Sequence, residues 1–569
     1  VGNINEKYTK VKSMEYKWTV LSNTTLGILI GMMNSTVLLI ALPAIFRGID
    51  INPLSPSSFD YLLWLLMGYG VTTSALVVSI GRLSDIYGRV KLYRLGFIIF
   101  TLGSVLLSIT FGKGNFAASE LIAFRVIQAV GGSLLMANSV ALITDAFPIT
   151  ERGKALGLNQ ISGLLGSILG LIVGGILATI NWRLVFIISV PFGLAGIIWS
   201  YKSLREISLP NKNEKIDIYG NIDFILGIVL LLAGITYALE PYKNMPLGWY
   251  NPKVIGLMVS GFALLAAFPF IEMKVKYPMF RLELFKSRQF SAGIFAALLS
   301  GIAYGGLMIV LIVMLQGIWL PLHGYSFSVT PLWAGIYMIP LMIGFVLFGP
   351  ISGTLSDKYG ARGLATAGML VVMISFILMM KLNYDFPYAE FAFFIFLAGA
   401  GNGLFVSPNT ASIMNSVPAN HRGVASGMRS VMTNIANTVS IAMYFSLLLS
   451  AFEQKLPAAL YNGLISAGFP SNIADLVSKM PPTAALFAAF LGYNPMQSLL
   501  SSFPQLYSEL SNIDPSGLSS VLSNTWFPRV IAPAFMYALR SVLIISSIIV
   551  LVAAIASLLR GKHNINNNN

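Results

Sequence analysis

The chain has 569 residues, of which 56% are apolar and only 10% charged, with a mean hydropathy of +0.76; a soluble surface needs about 25% charged residues. The absence of cysteine and the presence of only three histidines exclude a disulfide framework, a thiolate metal centre and a catalytic thiol, so no metal or other cofactor is expected. The net charge of +14 lies between apolar runs and not on one water-exposed face, so no nucleic-acid partner is expected.

A bilayer core of about 30 Å takes roughly 20 apolar residues per helix. Fourteen runs meet that length, at 19–45, 60–80, 92–111, 119–143, 155–180, 183–202, 220–239, 253–271, 290–318, 331–354, 363–381, 388–414, 424–450 and 531–559. They are long and lack period-two alternation, so the fold class is an all-α integral membrane protein. An even number of spans puts both termini on one side. Most Lys and Arg residues fall in the segments on that side, including Lys7, Lys10, Lys12 and Lys17 before the first span, which assigns it to the cytoplasm. The first apolar stretch is longer than a signal-peptide core and is expected to be a span.

Along the chain, span one carries Asn34, Ser35 and Thr36 ahead of Ala41-Leu42-Pro43, and span two carries Trp64 and Tyr69. The following loop reads Gly81, Asp85, Gly88, Arg89 and Lys91. Span four carries Arg125, Gln128, Ala129, Gly131 and Gly132; Arg125, Gln128 and Gly132 share a face by their spacing of three and four. An arginine inside a membrane run needs a cavity or a partner, which marks Arg125 as a functional candidate, with outward snorkelling as the alternative. Gly166, Gly170, Gly174 and Gly175 form a small-residue stripe in span five that lets a neighbouring backbone approach closely.

The chain then repeats itself. Leu83-Ser84-Asp85-Ile86-Tyr87-Gly88 recurs as Leu355-Ser356-Asp357-Lys358-Tyr359-Gly360, and Arg152-Gly153-Lys154-Ala155-Leu156-Gly157 recurs as Arg422-Gly423-Val424-Ala425-Ser426-Gly427. Two matching pairs define homologous halves. The expected organisation is a cytoplasmic segment 1–18, a six-helix bundle 19–202, a linker 203–289 with two inserted spans, a second six-helix bundle 290–559, and a disordered cytoplasmic tail 560–569. The second bundle contains an extracytoplasmic segment, 451–527, rich in Pro, Ser, Asn and Leu, whose longest apolar stretch, Ala484 to Leu491, is too short to cross; short helices are expected there.

Polar residues stand out in the second half: Gln316 in span nine, Asn402 and Asn409 in span twelve, and Ser430, Asn434, Asn437 and Ser440 near one face of span thirteen. They either pack between helices or line a pathway. Arg540 in span fourteen is either an anion contact or a donor to the carbonyls of a neighbouring helix. No Asp or Glu lies clearly at mid-membrane; Glu120 and Asp145 are weak candidates for a proton carrier, with Asp223 and Glu240 near the ends of span seven.

Duplicated six-helix halves are the construction of alternating-access transporters. With the motifs above, the chain resembles the major facilitator superfamily, and within it the fourteen-span drug:proton antiporter group. The resemblance covers nearly the whole chain. It implies a cytoplasmic latch against the other half formed by the loop with Gly81, Asp85, Gly88 and Arg89, with Asp357 and Arg362 as a weaker second copy. It implies a proton-transfer role for Arg125 and an antiporter motif for the glycines of span five, where Leu171 replaces the usual Pro. It also implies a monomer. In span one, Asn34 stands where the group has Asp, and an amide cannot exchange a proton as a carboxylate does.

The expected function is a secondary active exporter of amphipathic small molecules, exchanging them for protons in the cell membrane, with a pathway that includes Asn34, Tyr69, Arg125, Gln128, Gln316, Asn402, Asn409, Asn434, Asn437 and Arg540. No phosphate-binding Gly-x-x-x-x-Gly-Lys-Ser/Thr occurs, and no cluster of nucleophile, base and metal ligands suggests an enzyme. The alternatives are an importer or facilitator of an anionic or neutral metabolite, with protons uninvolved, and a receptor that binds without moving its ligand.

Overall fold

A computed structural model describes residues 2–52, 58–207, 217–243, 245, 247–275, 282–418, 422–502 and 515–561; within these, some side chains, among them those of residues 2–15, 152–154, 422–423 and Asp357, lie outside the description. The described residues contain 14 helices long and apolar enough to cross a membrane: Tyr16–Gly48, Asp60–Tyr87, Arg89–Ser108, Gly114–Ala146, Ala155–Ile180, Leu184–Ser203, Ile218–Tyr237, Pro252–Glu272, Arg288–Leu322, Thr330–Ser356, Ala361–Met379, Tyr388–Asn415, Val424–Glu453 and Trp526–Leu558. The spans expected from hydropathy are therefore present, because in lipid each backbone group must find its partner inside its own helix. The first helix differs in length. It begins at Gly2, so the expected N-terminal segment continues the first span as one helix.

The repeated loops fold alike. Gly88 at φ 104° and Gly360 at φ 80° each separate two helices with no intervening segment, at a backbone conformation that side-chain-bearing residues rarely adopt. Spans one and five pack along the glycine stripe. A Cβ at Gly170 would meet the Met33 carbonyl at 2.5 Å and one at Gly174 would meet Val37 Cα at 3.0 Å, so only hydrogen there allows these backbones so close. Gly175 points elsewhere, to Leu332 of span ten, where a Cβ would lie 2.7 Å from Cα; Gly335 answers it against the Leu171 carbonyl. The two halves thus touch backbone to backbone at the end of the bundle remote from both termini.

That end is capped. The chain after span thirteen forms the short helices Leu456–Ser466, Ser471–Ser478, Pro482–Leu491, Pro495–Ser502 and Pro515–Leu522. Proline opens several of them, where its missing N–H costs nothing. The helix Pro482–Leu491 is sunk into the bundle, with Ala485 to Leu491 all buried and Phe487 edge-on to Phe46 of span one at 5.3 Å. Spans seven and eight pack on each other and, through span seven, on span two. Span eight is the most exposed, with Val259, Phe262 and Phe270 all more than 60% exposed, which makes it a lipid-facing helix.

Candidate functional site

Five helices of the first half meet around one cation. Span four carries Arg125 and, one turn on, Gln128; span one brings Asn34, span two Tyr69, span three Ser104 and span six Ser189. Arg125 is 2% exposed, and Asn34, Gln128, Ser104 and Ser189 are equally buried. Arg125 Nη1 donates to Asn34 Oδ1 and, at 2.6 Å, to Gln128 Oε1. Gln128 Nε2 donates to Ser104 Oγ at 2.8 Å, and Asn34 Nδ2 to Ser189 Oγ at 3.1 Å. The guanidinium lies 4.7 Å from the Tyr69 ring centroid, and Gly132 leaves the room that the Tyr69 hydroxyl occupies.

The electrostatics of this group are unusual. Its acceptors are neutral amides and its third contact is an aromatic face, so the buried charge is solvated but not cancelled. Arg125 Nε has no hydrogen-bond partner among the described residues. The arrangement can hold an anion or a carbonyl, and it can pass a hydrogen bond from span four to spans one, three and six. Its amides and hydroxyls are not proton acceptors at ordinary pH. The sequence pointed to Asn34, Tyr69, Arg125 and Gln128, which the structure brings together. It gave no signal for Ser104 or Ser189, because serines in membrane helices are common and these act only through residues distant in sequence.

The other candidate residues lie elsewhere. Gln316, in a π-helical turn at Leu315–Trp319, donates to the Ile40 carbonyl at 3.2 Å and so ties span nine to span one. Asn409 donates to the Gly293 carbonyl at 3.1 Å and accepts from Arg560. Arg560, expected at the start of a disordered tail, is thus a buried end to span fourteen. Asn402 is buried within span twelve, Asn434 has a buried Nδ2 without a partner among the described residues, and Asn437 Oδ1 lies against Gly305 of span nine. Arg540 is exposed and donates to the Leu382 carbonyl at 3.1 Å, the carbonyl alternative of the two expected for it.

At the last turns of span two, where a loop was expected, Gly81 faces open space, while Asp85 accepts from Arg89 at 2.8 and 3.0 Å, and Arg89 also pairs with Asp145 at the end of span four. These ion pairs close the first bundle on itself, where a latch across the halves was expected. The reason is local: Arg89 is one turn from Asp85 and the Gly88 bend aims it at span four. Glu206, which no motif flagged, caps the next helix by accepting from the backbone N–H groups of Arg89 and Val90 at 3.0 Å each. Asp357 lies outside the described side chains, and Arg362 follows Gly360 in the second copy of the loop. Of the weak proton-carrier candidates, Asp145 is held by Arg89, and Glu120 accepts from the Gly112 N–H at 3.0 Å.

Two further features flank the site. Leu39, Leu42, Leu62, Leu66, Phe445 and Phe487 help line a small, wholly apolar crevice of ≈ 20 Å³ between the sunken cap helix and spans one, two, nine and thirteen. Where span two meets the inserted pair, Trp64 packs edge-on to Tyr237 at 5.6 Å and Lys253 Nζ sits 4.0 Å from the centroid of the Tyr237 ring. Beyond the end of span seven, burial and then the charge of nearby Asp60 push the Glu240 carboxyl up to about 7, against an opposing pull from Lys253.

The profile of the Major Facilitator Superfamily matches residues 24–441. Multidrug resistance protein 3 of Bacillus subtilis (strain 168) is 29% identical over 470 residues, 82% of this chain and 86% of the relative. The riboflavin transporter RibZ of Clostridioides difficile (strain 630) is 31% identical over 435 residues, 76% of this chain and 88% of the relative. Among solved structures, a bacterial homologue of the lysosomal transporter Spinster, crystallised inward-facing and unoccupied, superposes with a TM-score of 0.55 at 16% identity over 96% of this chain and 99% of the other, a likeness of fold alone. Repeated halves, fourteen membrane helices and these similarities agree: this multi-pass membrane transporter, not an enzyme, belongs to the major facilitator superfamily.

Proposed function

We propose that the protein is a secondary active exporter of amphipathic small molecules in the cell membrane, driven by proton antiport through alternating access, with both termini in the cytoplasm. The observation that carries this reading is the buried Arg125 group, a charged hydrogen-bonding centre within the first bundle. Close contacts between the halves at the capped end, through Gly175 and Leu332 and through Gln316 and Ile40, support a state closed to the outside. The crevice beside them is small in this closed arrangement, and its wholly apolar lining matches the apolar part of an amphipathic substrate. Multidrug resistance proteins among the relatives support export.

A second reading has one specific observation behind it. Asn34 offers an amide where the group that the chain resembles has a proton-exchanging Asp, and this reading is in keeping with a relative named for riboflavin transport. On that reading the protein carries a polar, uncharged or anionic metabolite without proton coupling. Proteoliposomes loaded with a panel of amphipathic cations, neutral compounds and organic anions separate the two. Export predicts that amphipathic compounds move against their gradient only when a pH gradient is imposed; movement of polar metabolites down their own gradient, indifferent to pH, supports the second reading.

A further inference from the structure

The end of span fourteen holds a second buried arginine that the Arg125 group does not explain. Arg560 is 3% exposed, and its side-chain partners among the described residues are Asn409 Oδ1 and, at a long 3.3 Å, Ser557 Oγ, both accepting from Nη2. Its Nε and Nη1 are fully buried without a hydrogen-bond partner among the described residues, and no described carboxylate pairs with it. As a guanidinium it is charged at neutral pH. An uncancelled buried guanidinium with idle donors is costly, and a fold tolerates it where something anionic arrives to use them.

The surroundings say what that is. Arg560 closes an exposed apolar stripe on span fourteen, Leu551, Val552, Ile555, Leu558 and Leu559, each more than 40% exposed, and Gly561 at φ 93° then ends the helix. The stripe is a lipid-facing surface, so Arg560 sits where hydrocarbon gives way to headgroups. A second arginine reaches the backbone one residue before it. Arg288, exposed at the start of span nine, donates from Nε to the Leu559 carbonyl at 2.7 Å, which leaves its Nη atoms for a ligand. The floor is polar and fixed: Asn409 is anchored on Gly293, and Ser557 is buried.

We infer that Arg560, with Arg288 at its rim and Asn409 and Ser557 beneath, is a binding site for a phosphate group presented at the membrane boundary between spans nine, twelve and fourteen. A phosphate matches the planar fork of arginine, and two arginines with neighbouring hydroxyl and amide groups supply more donors than a carboxylate ligand uses. The ligand enters past Arg288 and replaces the long Ser557 contact. The same chemistry is offered by an anionic phospholipid headgroup and by free phosphate; the lipid-facing stripe beside the site favours the headgroup.

The test uses the full chain, purified in detergent and stripped of lipid, with thermal unfolding as readout. Phosphatidylglycerol in mixed micelles is expected to raise the midpoint saturably, and phosphatidylcholine much less. Inorganic phosphate at matched ionic strength separates the sources: a rise with phosphate alone assigns a free-anion site, and a rise with the lipid alone assigns the headgroup. Arg560→Gln is expected to abolish the response, and Arg288→Gln, a change at an exposed position, to weaken half-saturation by about tenfold. If Arg560→Gln does not fold, Arg288→Gln and Ser557→Ala carry the test. Equal responses in the wild type and every folded variant, or no response to either ligand, overturn the inference.

Discussion

Arg125 of span four donates to Asn34 of span one, and through that bond the positive charge buried in the first bundle is held by an amide instead of a carboxylate. The pair joins spans one and four. It also sets the problem of coupling, because an amide and an arginine together store no proton at neutral pH.

Replacing Asn34 with Leu removes the acceptor and leaves the guanidinium short of a partner in a dry site. The expected cost is about 1.5–3 kcal/mol of stability, read as a lowered thermal midpoint, with transport lost as well. Asn34→Asp is expected to raise the midpoint at neutral pH, since a carboxylate beside a buried arginine makes a charge-assisted bond. A midpoint unchanged in both variants contradicts the proximity of the two residues.

Glycine at 170 is required by contact, whereas glycine at 31 has no atom within 4 Å of where its Cβ would sit. Gly170→Ala forces a methyl against the Met33 carbonyl and is expected to destabilise by about 1–3 kcal/mol and to impair transport. Gly31→Ala is expected to be neutral in stability. Equal effects in a thermal-shift and uptake comparison count against the close packing of spans one and five.

These two predictions mark what the sequence made legible. Fourteen apolar runs and a duplicated loop are local signals, readable because a lipid-spanning helix needs length and apolarity and a helix bend at Gly88 or Gly360 needs positive φ. The helical course of residues 2–18 was not legible from hydropathy, because that segment is polar; it simply continues the first helix. Arg125, Gln128, Tyr69 and Asn34 were each singled out by chemistry, but their meeting depends on how three helices pack. The partners of Arg89 show the same limit. Asp85 lies one turn away and is visible in sequence, while Asp145 and Glu206 reach the loop only through the fold.

Glu240 carries a pH dependence of known sign. Its carboxyl titrates near 7 in the folded protein, above the ordinary value, so the folded state holds the proton more tightly than the unfolded state does. Its contribution to stability is complete at pH below the unfolded pKa and is lost as pH rises through about 7. Glu240→Gln is expected to flatten the fall in thermal midpoint between pH 5 and 8, roughly the interval spanned by the two pKa values. An unchanged slope in the variant contradicts the shift.

Phe487 plugs the capped end against Phe46. The chain contains no cysteine, so Leu66→Cys places a single thiol in the crevice beneath the plug. In the otherwise native background that thiol is expected to react slowly with a membrane-impermeant maleimide. Adding Phe487→Ala is expected to speed labelling by about tenfold or more, the factor of ten corresponding to about 1.4 kcal/mol. Fast labelling before the second substitution contradicts a closed capped end.

The most direct test of Arg125-dependent proton antiport is proton movement itself. Purified protein in proteoliposomes loaded with a pH dye is given an amphipathic substrate under an imposed pH gradient. The expected result is a proton flux on substrate addition that Arg125→Ala abolishes while the variant remains folded. Substrate moving with no proton signal, or an undiminished signal in Arg125→Ala, contradicts it.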